Sequence, residues 1–282
     1  MQTGDPARVV DSGPDVAERW PAGHRCALLV TIDVDGRYGE ANFRPDDMYW
    51  ISQTAYDPRG TERLLTVLAD RETLATFCWV GRAAEDQPLH VRAAVAAGHE
   101  IALHSWDHRP YNQMTPDEQR ADMQRSLHAL QRISGMTPLG HKTASWRYDE
   151  ATHRLAQELG LLWVMDEPGG DVPYLIQPDT ALPPLVQFPP SRWFDDYTLF
   201  VDQVLPPRQA FELWRDDLDV LRDEGGMMGL TLHPFVSGRP GSSRALAWLL
   251  DYAIDLGDVW IDRADRVARW CLAQAGDPRG SI

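Results

Sequence analysis

Eight short apolar runs punctuate the chain, and most are continuous rather than alternating. They are CALLVTID (26–33), TLATFCWV (73–80), HEIALH (99–104), the weaker TPLGHKTA (137–144), LLWVMD (161–166), LVQFP (185–189), MMGLTLH (227–233) and VWID (259–262). A strand with one wet face alternates; a run without polar partners is a strand covered on both faces. Helical patterns fill the gaps. Residues 61–70 set Leu64, Leu65 and Leu68 on one face. Thr115-Pro116-Asp117-Glu118 is a capping box with proline at the first helical position, opening a helix through about Ile133. Further helices are expected over 150–159, 208–224 and 242–256, each followed by glycine, the usual C-terminal stop, and a last one over 263–275. Strand–helix units with one sense of crossover give a parallel sheet with helices outside. Seven or eight of them close most naturally into an α/β barrel. The open doubly wound sheet is the alternative, but no Gly-x-Gly-x-x-Gly stands between a first strand and helix. Residues 37–59 and 169–184 break the rhythm and read as long loops of the kind that shape a site.

A length of 282 residues suits one such barrel and supplies a core large enough to fold without a metal or disulfide staple. Residues 1–22, polar with Pro and Gly, read as an N-terminal arm, and 23–282 as a single domain. The net charge of −15 argues against nucleic acid as a partner, because a phosphate backbone is met by excess Lys and Arg. The N-terminus has no basic stretch followed by an apolar one, and no window of about 18 apolar residues appears. A cytoplasmic protein without a membrane partner is therefore expected. Cys26, Cys78 and Cys271 are odd in number and far apart, and read as small buried hydrophobes.

The polar residues that end the strands carry the chemistry. Asp33 and Asp35 are two apart, so in extended chain they share one side. His104 ends the third run with His108 one turn on, and His233 ends the seventh. In a parallel barrel these ends converge on one face. Each has a bland reading alone: a self-bonded Asp-x-Asp-Gly turn, an incidental histidine pair, a hydrogen-bonded histidine at a sheet end. Together, two imidazoles and a carboxylate suit zinc or another divalent ion with positions left open. A second carboxylate and a further histidine complete a kit for metal-assisted amide hydrolysis. Of the other histidines, His24, His90, His128 and His153 read as solvated, and His99 as a partner for local backbone. His141 stands beside the site. Trp106 reads as loop packing, and Asp107 as either a ligand's partner or a solvated residue.

In this order TIDVDG (31–36), HSWDH (104–108), GHKTASW (140–146), PPSRWFDD (189–196) and LTLHPFVSGRP (230–240) resemble the five motifs of the polysaccharide deacetylase (NodB-homology, carbohydrate esterase 4) superfamily. The spaced Asp-Val-Asp and the Ser-Gly-Arg-Pro after the last histidine resemble a branch holding intracellular peptidoglycan-deacetylase-like proteins, cyclic imide hydrolases and bacterial allantoinase relatives. The resemblance covers about 24–272 and implies an irregular (β/α) barrel, often a homodimer or homotetramer. It implies Asp35, His104 and His108 as metal ligands, Asp33 as general base, His233 as general acid, and a backbone N–H near the third motif at the oxyanion. Trp146, Trp193 and Asp195 would line the pocket, with Lys142 among the substrate-binding residues. The implied cofactor is a divalent ion, zinc first, with cobalt, nickel, manganese or iron as alternatives. Relatives usually carry Arg where this chain has Lys142 and Pro where it has Ala144. Lys lacks the planar fork with which Arg orients the catalytic Asp, which puts the positioning of Asp33 in question. The expected activity is hydrolysis of a small soluble N-acyl or amide substrate. The alternatives are ring opening of a cyclic imide or ureide, and a non-catalytic metal- or carbohydrate-binding barrel.

Overall fold

The computed structural model describes residues 8–9 and 19–280; the rest of the expected N-terminal arm lies outside them. The strands are β1 Arg8–Val9, β2 Cys26–Val34, β3 Thr76–Trp79, β4 Glu100–Leu103, β5 Gly140–His141, β6 Trp163–Val164, β7 Tyr174–Ile176, β8 Leu185–Gln187, β9 Met227–Leu232 and β10 Val259–Ile261. Seven of the described strands run parallel in the order β9-β2-β3-β4-β5-β6-β8 and curl into the irregular barrel. Between β8 and β9 the wall is closed by one parallel bridge, Asp195 to Thr231, instead of a ladder. The eighth run, β10, pairs with the first three residues of β2 below β3.

The parity of β2 separates two environments, because successive side chains point to opposite faces. Cys26, Leu28, Val30, Ile32 and Val34 belong to the outer core, together with Leu64 and Leu68 of one helix and Trp214, Leu218, Leu246 and Leu250 of two others. Ala27 and Leu29 belong to the barrel interior with Trp163, Met165 and Phe188. Two glycines admit this plug: a Cβ on Gly140 would lie 1.8 Å from the Trp163 ring, and one on Gly229 would lie 2.4 Å from Met165. The interior column of β2 thus runs Ala27, Leu29, Thr31, Asp33, Asp35. It is apolar where the plug fills the barrel and polar above it.

The helices are α1 Tyr38–Phe43, α2 Met48–Gln53, α3 Asp57–Ala69, α4 Gly81–Asp86, α5 Pro88–Ala96, α6 Pro116–Ser134, α7 Glu150–Glu158, α8 Pro207–Glu224, α9 Pro234–Ser237, α10 Ser243–Leu256 and α11 Ala264–Gln274. The capping box forms as expected at α6: the Glu118 N–H donates to Thr115 Oγ1 at 3.3 Å, and the Thr115 N–H to Glu118 Oε2 at 2.8 Å. The two long stretches are not loops. Residues 37–59 fold into α1, α2 and the start of α3, and residues 169–184 contain β7, which pairs antiparallel with β8 and β1. Elements of three to six residues leave no periodic pattern to read. No described helix is long and apolar enough to cross a membrane.

His99 does serve local backbone: its Nδ1 accepts the Ala75 N–H at 3.1 Å. Burial, with the Arg263 cation nearby, pushes this imidazole down to about 4. A folded value below the unfolded one gives stability that is complete above about pH 6.5 and lost as pH falls towards 4. Discounted for partial solvation, the loss is on the order of 2 kcal/mol. His99→Asn keeps an acceptor but does not titrate. Its urea midpoint should therefore fall less than wild type between pH 6.5 and 4.5, and parallel curves would remove His99 from the acid response.

Candidate active site and metal centre

The same parity brings the polar residues together. His104 follows the interior residue Ala102, Lys142 follows Gly140, and His233 follows Gly229 and Thr231. His104 Nδ1 lies 2.7 Å from the Lys142 carbonyl, so it carries the proton and Nε2 keeps its lone pair. That Nε2 is 3.4 Å from Asp35 Oδ1, and His108 Nε2 is 3.4 Å from Asp35 Oδ2. One ligand atom from each of the three residues falls within 4.8 Å of the others. The spacing is that of donors around a shared ion at about 2.1 Å, and is too long for good hydrogen bonds. Asp35 Oδ1, although buried, has no donor among the described residues. The residues therefore fit a divalent cation.

The backbone that presents His108 is strained. Ser105 (φ 63°) and His108 (φ 64°) both occupy the left-handed region, at a cost of about 1–3 kcal/mol each. Surrounding contacts impose it. Ser105 Oγ accepts the His108 N–H at 2.9 Å, Asp122 accepts the Trp106 N–H at 2.7 Å, and the Arg125 guanidinium covers the Trp106 ring at 3.8 Å. Gly81 packs flat on that ring, where a Cβ would lie 2.5 Å away. Asp107 makes no bond to either ligand histidine; its carboxylate lies 3.7 Å from Arg109.

Lys142 is 1 % exposed and does not line the cavity, so it is not placed to touch substrate. Its ammonium lies beneath the base: Nζ is 2.8 Å from Asp33 Oδ2, 2.9 Å from Thr231 Oγ1 and 3.2 Å from Thr31 Oγ1. Three donors meet three acceptors, so lysine holds Asp33 without an arginine fork. Burial alone would raise the Asp33 carboxyl; the charges of Lys142, His104 and His233 outweigh it and hold the group below its ordinary value. Asp33 Oδ1 is left with no donor among the described residues.

The partner of His233 is Asp196, which the sequence reading passed over. Asp196 Oδ1 is 2.6 Å from His233 Nδ1, and Oδ2 accepts the N–H groups of His233 (2.8 Å) and Ser237 (3.1 Å). Burial would lower this imidazole; the charges of Asp196, Asp35 and Asp195 raise it well above its ordinary value. Asp195 instead accepts from Thr198 Oγ1 at 2.8 Å, in the π-turn over Tyr197–Asp202, and lines the cavity. Two other buried aspartates position the site. Asp57 Oδ2 accepts the Gly36 N–H at 2.9 Å; burial and the Asp35 charge push its carboxyl up to about 8. Asp166 Oδ1 accepts both the N–H and the hydroxyl of Thr143 at 2.7 Å. His153, read as solvated, is buried against Asp166 at 3.3 Å and stacks on Tyr148, because it faces inward from α7. His141 points to the other face of β5 from Lys142, stacks on Tyr111 and stays outside the cavity.

The cavity above these groups holds about 500 Å³. Helix α1 forms one side. A Cβ on Gly39 would meet Asp35 Oδ2 at 2.9 Å, Phe43 meets the His108 ring edge-on at 5.9 Å, and Asn42 donates to the Asp107 carbonyl. The third-motif loop forms another, with Ser145 and Trp146 both at φ 53°. Trp146 lines the cavity as expected. Trp193 does not: it is 59 % exposed and bonds through its backbone, the N–H donating to Ser191 Oγ and the carbonyl accepting from Trp214 Nε1. Its neighbour Arg192 takes the lining position.

A family model described as "Polysaccharide deacetylase" matches residues 45–164, a span that contains the HSWDH and GHKTASW segments. A crystal structure from Mycobacterium smegmatis, classed among the polysaccharide deacetylases, is 33 % identical, covers 91 % of this chain and 93 % of that one, and superposes with a TM-score of 0.85. A structure of the allantoinase PuuE is 26 % identical, covering 97 % and 98 % with a TM-score of 0.86. A curated peptidoglycan deacetylase of Helicobacter pylori is 23 % identical over 76 % of this chain and 85 % of its own length. With five ordered motifs assembled around one cavity and a relative matched over nine-tenths of both chains, this chain belongs to the polysaccharide deacetylase (NodB-homology) family.

Proposed function

We propose that the protein is a divalent-metal-dependent hydrolase of non-peptide C–N bonds that acts on small amides. One observation carries the reading: Asp33, held by Lys142, and His233, held by Asp196, face the Asp35–His104–His108 set within one cavity. Asp35, His104 and His108 would hold the ion, with zinc the best match to two imidazoles and a carboxylate. When bound, it polarises the scissile carbonyl and acidifies water. Asp33 is kept ionised by Lys142, and its open Oδ1 takes the proton of the attacking water. His233 carries a proton because Asp196 faces its Nδ1, and Nε2 delivers that proton to the departing nitrogen. The Ser145 N–H donates to the developing oxyanion. Its strained loop is pinned by Asp166, and the next two N–H groups are already bonded to Thr143 and Ala144.

A cavity of about 500 Å³ suits a ligand the size of one sugar or one small heterocycle. Ring opening of a cyclic imide or ureide is the second reading, favoured by the allantoinase likeness over nearly the whole of both chains. The test is metal analysis followed by a panel of N-acetyl sugars, cyclic imides and ureides. One equivalent of divalent ion per chain and chelator-sensitive turnover are expected. His104→Ala and His108→Ala should lose the ion, and with it at least a hundredfold in turnover. Absence of both bound ion and turnover on the panel leaves a non-catalytic barrel, and turnover untouched by these variants removes the ion from the reaction.

A further inference from the structure

We propose that the substrate carries a carboxylate, recognised by Arg147 at the cavity wall; the inference rests on the hydrolase reading above. In a chain of net charge −15, three arginines, Arg44, Arg147 and Arg192, line this cavity. Two are engaged. Arg44 is 3.3 Å from Glu40, which also accepts from Tyr197 Oη at 2.8 Å, and Arg192 is 3.6 Å from Asp202. Arg147 has no carboxylate partner among the described residues.

Its backbone, in contrast, is fixed. The Arg147 N–H donates to the Ala144 carbonyl, and its own carbonyl accepts the N–H groups of Tyr111 and Asn112 at 3.0 and 3.3 Å. The loop that precedes it is held in the left-handed region at Ser145 and Trp146. The guanidinium lies 5.8 Å from the Phe43 ring, and that ring meets His108 edge-on. A positive charge thus lies beside an aromatic ring that itself meets a metal ligand. A substrate whose amide carbonyl reached the ion would extend its far end along Phe43 to this cation. Arginine's planar fork matches a carboxylate there in two parallel hydrogen bonds. The substrate class is therefore a small amide with a carboxylate a few bonds from the scissile carbonyl, such as an N-acyl amino acid or a carboxylated ureide.

The test uses zinc-loaded protein and two isosteric hydroxamates followed by calorimetry. One is succinic monohydroxamate, with a free carboxylate; the other is its neutral half-amide. The carboxylate should bind roughly tenfold tighter, and that preference should shrink in about 0.5 M salt. Arg147→Gln should bring the two affinities within about twofold, and Arg147→Glu should favour the half-amide. Equal affinities in wild type, or a preference that survives Arg147→Gln, overturns the proposal. If neither hydroxamate binds, the metal-centred hydrolase reading fails and this inference falls with it.

Discussion

Asp33→Asn should lower kcat/KM by about three orders of magnitude and leave the divalent ion bound. Asparagine fills the same space and still offers an oxygen to Lys142, 2.8 Å away, so the wall of the site is kept. What it lacks is a lone pair basic enough to take the proton of water. The Asp33 carboxylate is 3.7 Å from His104 Nε2 and stands outside the Asp35–His104–His108 set, so ion content should not follow it. Asp35→Asn is the contrast: it removes a ligand charge and should lose the ion first. Steady-state kinetics on the best amide of the panel, with metal content measured on the same preparation, separates the two. The loss for Asp33→Asn should fall on kcat more than on KM, because the interaction strengthens as the transition state is approached. Full turnover in Asp33→Asn, or loss of ion with it, would exchange the roles of the two aspartates.

The pair was legible in TIDVDG because the residues are two apart on a strand and the barrel has one inside. The same argument reached His104 and His233, each the first polar residue beyond an apolar run. It failed where parity says nothing. Asp195 and Asp196 are adjacent in FDD; which one meets His233 depends on the turn to Tyr197, and a π-turn does not announce itself in composition. Trp193 looked like a pocket aromatic by its place in that motif, but a short 3-10 turn over Arg192–Phe194 sends it to solvent. The helices α4 and α5, over GRAAEDQPLHVRAAVA, went unread because alanines form their buried faces and make a weak periodic signal. Asp57 and Asp166 act through backbone N–H groups of other motifs, at contacts formed only once the barrel closes.

Lys142 carries the second large effect, and it joins fold to function. Lys142→Met leaves the Asp33 carboxylate buried beside two threonine hydroxyls with no counter-charge beneath it. Breaking a buried pair from one side costs about 3–5 kcal/mol, because the surviving charge has neither water nor partner. The sign with pH follows. In wild type Asp33 sits below its ordinary value, so its contribution is present at neutral pH and is lost in acid. In Lys142→Met the largest opposing charge is gone, so burial is set only against His104 and His233, the carboxyl rises from its wild-type position, and keeping it ionised at neutral pH costs more. The stability gap between the two proteins should be widest near pH 7 and narrow towards pH 5. Urea titrations in chelator check this without the ion's own proton linkage. Activity should fall in the same direction, since a protonated Asp33 is no base, and Lys142→Arg, which keeps the charge, should recover part of both. A Lys142→Met protein as stable and as active as wild type at pH 7 would mean that Thr31 and Thr231, and not the ammonium, hold the base in place.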